Sequence, residues 1–308
     1  MASAAEIRVR INSVSDTKKV TDAMYMISSV KMRKARTENE KVQPYFIALR
    51  EEIGELLHYI PENSNRYYQI LDDDGIQGRA LLLITSDKGL NGSYNHTALK
   101  AAEERIRKYP DTLLFVVGEY GRQYFGHKNA RMADSFRYAA SFPTTGMAQK
   151  ICNDLLEYYN SDRVDEIDII YTHYQAGKPI LCKERCLLPL NGTGLYDSND
   201  FEITFGKEYL PDPHTVLNEI VPSYLTGFIY SALVESYCSE QEARMTAMHT
   251  AGTNADEMLK KLKMEYNSVR QAAITREMTE ITSGTKALLA KHRKKAKEGG
   301  KNERRNPE

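Results

Sequence analysis

The stretch ITSDKGLNGSYN, residues 84 to 95, holds the residues best placed to do chemistry, with Lys88 beside Gly89 and Gly92. It follows the apolar run ALLL (80 to 83) and leads into the helix-like HTALKAAEERIRKY (96 to 109). A strand, a glycine-bearing turn and a helix are the layout that cradles phosphates, because free backbone amides at a helix start attract anions. The spacing does not complete the motif. A Walker-type loop needs G-x-x-x-x-G-K-[ST], whereas Lys88 precedes its glycine and no Gly-Lys-Ser follows. A dinucleotide fingerprint needs G-x-G-x-x-G at the helix start, and Gly89 and Gly92 supply part of one. The expectation is a structural turn whose glycines permit backbone geometry that a Cβ disfavours.

Other chemistry fares no better. The seven histidines, at 58, 96, 127, 173, 214, 249 and 292, are scattered, with no H-E-x-x-H and no close His/Cys cluster of the kind that binds zinc. No G-x-S-x-G elbow is present for serine hydrolysis. Asp72, Asp73 and Asp74 lack the spacing of a calcium loop and read as a solvated acidic turn. The cysteines at 152, 182, 186 and 238 form no C-x-x-C pair. On a strand, Cys182 and Cys186 would share a face about 13 Å apart, beyond disulfide reach, so free thiols are expected. No catalytic residue, metal or cofactor is expected.

The elements that must position these residues are of two kinds. From Met1 to Gln43 there is neither glycine nor proline, enough for one helix of about 65 Å. Its apolar residues Ile7, Ile11, Val14, Val20, Met24 and Ile27 trace one narrow stripe, beside the basic KMRKAR (31 to 36). After Pro222 a second run, Ser223 to Ser283, is interrupted only by Gly227 and Gly252, about 90 Å of potential helix. Its stripe starts with Leu225, Phe228, Ile229, Ala232 and Leu233 and continues with Ala255, Met258, Leu262, Tyr266, Val269 and Ala273. Between them, 239 to 258 is rich in small residues and Met, which predicts a helix meeting one partner helix at a time. Two single-stripe helices, neither stable alone, are expected to pair as an antiparallel coiled coil.

The middle of the chain differs. ALLLIT (80 to 85), LLFVVG (113 to 118) and IDIIYTHY (167 to 174) are short apolar runs separated by helical stretches at 96 to 109 and 144 to 161. That alternation predicts a mostly parallel sheet covered on both faces. KERCLLPL (183 to 190) adds an edge strand, where Pro189 is tolerated. The fold class is therefore α/β, a long antiparallel coiled coil of N- and C-terminal helices with an inserted Rossmann-like domain. The expected divisions are 1 to 60 for the first helix, 75 to 210 for the α/β domain, 211 to 289 for the second helix and 290 to 308 for a tail, with loops at 61 to 78 and 191 to 200. With 42 Lys+Arg against 42 Asp+Glu, no global attraction to nucleic acid or anionic lipid is expected. No run approaches the roughly 18 apolar residues of a membrane span, so no direct membrane insertion is expected. MASAAEIRVRINSV resembles neither a signal peptide nor a transit peptide, which predicts a chain that stays where it is made.

Five segments together carry a family resemblance: EIRVRINSVSDTKKVTDAMYMISSVKMRKAR (6 to 36), ITSDKGLNGSYN, EYLPDPHTVLNEIVPSYL (208 to 225), SEQEARMTAM (239 to 248) and YNSVRQAAITREMTEITSGTKALL (266 to 289). They resemble, in the same order, the gamma subunit of F-type ATP synthases. The resemblance implies a non-catalytic rotor shaft inside a hexamer of α and β subunits, with the α/β domain beside ε on the membrane c-ring. It implies a peripheral place on the cytoplasmic side of a bacterial cell membrane. Arg270 and Gln271 match the pair that bonds an acidic loop of a β subunit; Met24 matches the position near the β subunit's acidic lever. Arg244 and Glu280 match positions that tune coupling. Lys31, Arg33 and Lys34 would face the acidic lever or solvent, and Tyr209 falls in the foot near the ring. Small residues and Met at 239 to 258 suit either a sliding surface or packing on the first helix.

The departures are local. Asn91 stands where the family often has Cys, and Ser93 where it often has Gly. The family usually ends close to Leu289, while here AKHRKKAKEGGKNERRNPE continues with eight Lys/Arg against three Glu, a tail expected to be disordered and solvated that would emerge at the top of the hexamer. The redox insert of the chloroplast relatives is not recognisable. The competing readings are a coiled-coil scaffold with an α/β binding module and a nucleotide-dependent enzyme using the 84 to 95 turn.

Overall fold

The computed structural model describes residues 3–71, 75–173, 180–190 and 207–302, with side chains through residue 291. The acidic run 72 to 74 and the loop at 191 to 200 lie outside the described residues. Helix α1 runs Ala4–Leu56. Its start is a reciprocal cap: Glu6 N–H donates to Ser3 Oγ at 3.2 Å and Ser3 N–H donates to Glu6 Oε2 at 3.0 Å, which satisfies two amides a helix end leaves free. Helix α5 runs Pro213–Asn302. It begins two residues after the expected bound of 211 and ten before the run from Ser223, because Asp212 caps it, accepting from Thr215 N–H at 3.0 Å, and Pro213 suits a first helical position. Pro222 therefore lies inside the helix. The helix also continues over 290 to 302, where the sequence suggested disorder; Ala, Lys and Arg extend an existing helix without a nucleation cost.

Between the long helices lie strand β1 (Arg79–Ile84), helix α2 (Tyr94–Lys108), strand β2 (Leu113–Val117), helices α3 (Glu119–His127) and α4 (Thr145–Asn160), and strands β3 (Glu166–His173) and β4 (Leu181–Leu188). The sheet order is β2-β1-β3-β4, with β1 parallel to both neighbours and β4 antiparallel at the edge. Helix α3 has no counterpart in the sequence reading, since nine residues with two glycines carry little periodicity. Both sheet faces are covered. Leu82, Ile84, Phe115 and Ile169 pack with residues of α4 and α5. Leu81, Leu83, Val116 and Ile170 pack with Ala98, Leu99 and Ala102 of α2 and Phe125 of α3. The alternation follows the two-residue period of a strand.

The chain divides into two compact units, 23 to 249 and a second made of 1 to 22 with 250 to 308. The second is a helix pair. Lys18 Nζ meets Asp256 at 3.0 Å, and Ile7, Thr21, Ala255 and Leu262 are buried. Counting outward from Lys18 and Asp256 in antiparallel register sets Ala4 opposite Arg270. Past Val269 every described side chain of α5 is exposed, because α1 has ended.

The stripe expected on α1 is corrected in phase. Val20 is 57% exposed and Ile27 54%, while Thr21 and Ser28 are buried. A seam that keeps a strict 3.5-residue repeat runs through 7, 11, 14, 18, 21 and 28 and admits polar residues on the way. Likewise Met258 and Ala273 are exposed and Leu259 takes the seam position.

Candidate functional site

In the 23 to 249 unit, the turn after β1 is tied down residue by residue. Thr85 Oγ1 donates to Val117 O at 2.8 Å and accepts from Gly121 N–H at 3.1 Å. Ser86 N–H donates to Asn95 Oδ1 at 3.1 Å, Asn91 Nδ2 donates to Ser86 Oγ at 2.9 Å, and Asn95 Nδ2 donates to Asn91 Oδ1 at 3.3 Å. Asn91 is thus a buried amide that closes a Ser86–Asn91–Asn95 ring, with more donors and acceptors than a thiol offers. Gly92 has φ +59°, a conformation that suits a residue without Cβ. Ser93 sits at the N-cap of α2 without a side-chain cap bond. Asp87 fastens the loop before α4, accepting from Ala140 N–H at 2.8 Å and from Ser141 N–H at 2.9 Å and Oγ at 2.5 Å. Ser86 N–H is already engaged within the protein, as the structural reading of this turn requires.

Arg244 completes the arrangement from α5. Its Nη2 lies 2.6 Å from Glu240 Oε1 and donates to Gly89 O at 3.2 Å, with both side chains largely buried at 12% and 8%. Burial pushes the Glu240 carboxyl above its usual range and Arg244 opposes the rise. Met24 and Lys31 of α1 line the same cleft of about 350 Å³ as Lys88, Gly89, Glu240 and Arg244. Lys31 Nζ lies 5.3 Å from the Phe142 ring centroid.

Of the residues expected to act, the structure therefore brings Met24, Lys31 and Arg244 together at one cleft. Arg33 and Lys34 are exposed on α1. Tyr209 packs edge-on against Tyr59 at 5.3 Å, next to Lys207, which bridges Glu52 at 3.1 Å and also contacts Glu55; burial pushes the Tyr209 phenol up to about 12. Arg270, Gln271 and Glu280 are exposed on the unpaired part of α5, in the other unit. At the start of 239 to 258, α5 packs on a strand end as well as on α1. Ser236 to Gln241 are six consecutive buried residues, with Ser239 Oγ donating to Thr172 O at 3.4 Å and Cys238 Sγ 4.0 Å from Met32 O on α1. Hydrogen bonds to strand ends let polar residues fill a core position. Composition alone hid this, because Ser, Glu and Gln read as solvent-facing.

A second polar cluster, missed from sequence, lies on the sheet face under α2. Arg105 contacts Asp168, reaches Glu166 at 2.6 Å and Glu184 at 3.3 Å, while Arg79 lies 3.4 Å from Glu166. Burial first, then Glu166, pushes the Asp168 carboxyl up; Arg105 pulls it down. Among the described residues no group of His, Cys, Asp and Glu could hold a metal, and no helix is long and apolar enough to cross a membrane.

A family model described as ATP synthase matches residues 3–288. The ATP synthase gamma chain of Acetivibrio thermocellus is 37% identical over 297 residues, covering 94% of this chain and 100% of the relative. The chain belongs to the ATP synthase gamma chain family. The gamma chain of Caldanaerobacter subterraneus is 38% identical over 290 residues, covering 91% of this chain and 98% of its own. A chain of the Euglena gracilis mitochondrial ATP synthase matches in fold, with TM-score 0.67 at 16% identity over 94% of this chain and 95% of that one. As a gamma chain it is a subunit of an F-type ATP synthase, the central stalk component and not the catalytic one. The turn at 84 to 95 belongs to this family's α/β domain, and the scaffold and nucleotide-enzyme readings give way.

Proposed function

We propose that this chain turns as a shaft whose unpaired α5 segment runs inside an alternating hexamer of α and β subunits, while its α/β domain stands with ε on the membrane c-ring. Rotation of an asymmetric axle presents a different surface to each catalytic β subunit in turn. A β subunit then shifts between nucleotide affinities by the difference in contact energy that its conformations make with the shaft. The observation that carries this reading is the stretch of α5 past Val269. It is exposed on all sides, and Ile274, Met278, Ile281 and Leu288 are large apolar residues without cover in the described chain. A sheath supplied by other subunits accounts for them. Arg270 and Gln271 open that stretch; a guanidinium fork there suits an acidic loop of a β subunit. Met24 and Lys31, with Arg33 and Lys34 outside them, form the contact with a β subunit's acidic lever, Arg244 and Glu280 the positions that tune coupling, and Tyr209 part of the foot. The Euglena neighbour is described in an assembly with F1 and a c-ring, which supports these partners. Membership of a membrane-associated complex supports a peripheral location, and we assign it to the cytoplasmic face.

Co-expression with cognate α and β subunits tests the reading. A stable complex with one copy of this chain should form, and its ATPase turnover should fall in the Arg270→Ala/Gln271→Ala variant. A chain that elutes alone and leaves α/β activity unchanged defeats the proposal.

A further inference from the structure

In open α/β sheets, ligands bind outside the carboxyl ends of the strands, where the strand order reverses. Here the reversal lies at β1, flanked by β2 and β3. The place is taken by the chain's own helix α5. Thr172, near the end of β3, is fully buried; its N–H donates to Ser236 Oγ at 3.1 Å, and its carbonyl accepts from Ser239 Oγ at 3.4 Å. The next residue, His173, sets Nδ1 2.9 Å from Glu235 Oε2. Tyr94, buried at the start of α2, has its hydroxyl beside Thr172 and Ser236. At the end of β1, Arg244 adds its bond to Gly89 O.

Apolar packing alone would let a helix creep along or roll on its own axis. Directional bonds do not, because a small rotation leaves buried donors and acceptors unpaired. Glu235, Ser236 and Ser239 point at the last two residues of one strand, and Arg244 grips the turn after its neighbour, so the helix is held at two separated points. We propose that the crevice end of this sheet is a socket in which Glu235, Ser236 and Ser239 key α5, forming a torque joint between the sheet and the part of α5 that lies in the 23 to 249 unit. The three are positioning residues for energy coupling. The inference rests on the rotor-shaft function proposed above.

The test uses the assembled synthase in inverted membrane vesicles, measuring ATP hydrolysis and ATP-driven ion uptake on the same preparation. Ser236→Ala/Ser239→Ala should assemble and hydrolyse ATP, while ions moved per ATP fall by about threefold. If the two activities fall in proportion, or neither falls, the residues are merely structural and the joint is refuted. Thr172→Cys/Ser236→Cys, closed by oxidation and reopened by a reductant, decides the matter should the serine variant fail to assemble. The closed form should pump at full coupling, because the joint never opens; turnover lost on closure and restored by the reductant would overturn the proposal. Wild-type vesicles that do not pump, or a wild-type chain that does not assemble, would instead overturn the shaft function itself.

Discussion

Replacing Arg244 by Ala should be among the costliest single changes to the fold. The change strips a largely buried carboxylate, Glu240, of the partner 2.6 Å away and leaves Gly89 O without its donor. Removing one member of a buried ion pair costs about 3–5 kcal/mol, chiefly because the remaining charge is uncompensated. Glu240→Gln keeps an acceptor and removes that charge, so Arg244→Ala in the Gln background should cost about 1–2 kcal/mol, the range of a lost hydrogen bond. The cycle, measured by urea denaturation of the purified chain, should therefore show coupling of about 1–4 kcal/mol. The pH dependence has a definite sign. Burial already raises the Glu240 carboxyl, and without Arg244 it rises further. A carboxyl raised in the folded state contributes stability below its unfolded value of about 4.3, and loses it as pH climbs through the folded value. The Arg244→Ala deficit should be full at about pH 8 and shrink toward about pH 5. A cost below about 1 kcal/mol, equal costs in both backgrounds, or a deficit growing on acidification would refute the reasoning.

Asn91→Ala should lower stability by about 1–3 kcal/mol, since Ser86 and Asn95 lose buried partners; a calorimetric melting temperature equal to wild type would contradict the ring of bonds. A Cβ at Gly227 would stand 2.0 Å from the Phe46 ring, so Gly227→Ala should cost about 1–3 kcal/mol, with part recovered by adding Phe46→Leu. No recovery in urea midpoints would mean the clash lies elsewhere. Asp168→Asn removes one of three carboxylates around Arg105, and the Asp168 carboxyl, raised to about 7, contributes its full stability below about pH 4 and loses it as pH rises through the folded value. The melting temperature of the variant minus that of wild type should climb from about pH 4 to about pH 8, and a flat or falling difference would argue against the raised value.

The sequence was most legible where hydrophobic period and breaker residues agree. The three parallel strands stand out as apolar runs, and α1 up to Gln43 as a stretch without glycine or proline, although the helix continues through Pro44 and Gly54 to Leu56. The phase of the helix pair was not legible, because its seam passes through Lys18, Thr21 and Ser28, while Val20 and Ile27 are apolar yet outward. Asp212 and Pro213 carried a readable start for α5, overshadowed by Pro222, which an extended helix tolerates. The socket was hidden for a different reason: Ser236 and Ser239 are buried because a strand end 64 and 67 residues away supplies their partner. Tertiary pairing of this kind leaves no periodic trace.

The bare end of α5 also governs how the chain can be made. An unsupported helix is marginal in water unless long and rich in good formers, and this one carries Ile274, Met278, Ile281 and Leu288 in the open along with cleavable Arg276 and Lys286. A copy produced without its companions has a sticky, clippable end; one captured by them does not. On the shaft function proposed above, survival of the subunit should follow capture, and trypsin should clip the free chain at this end faster than the assembled one.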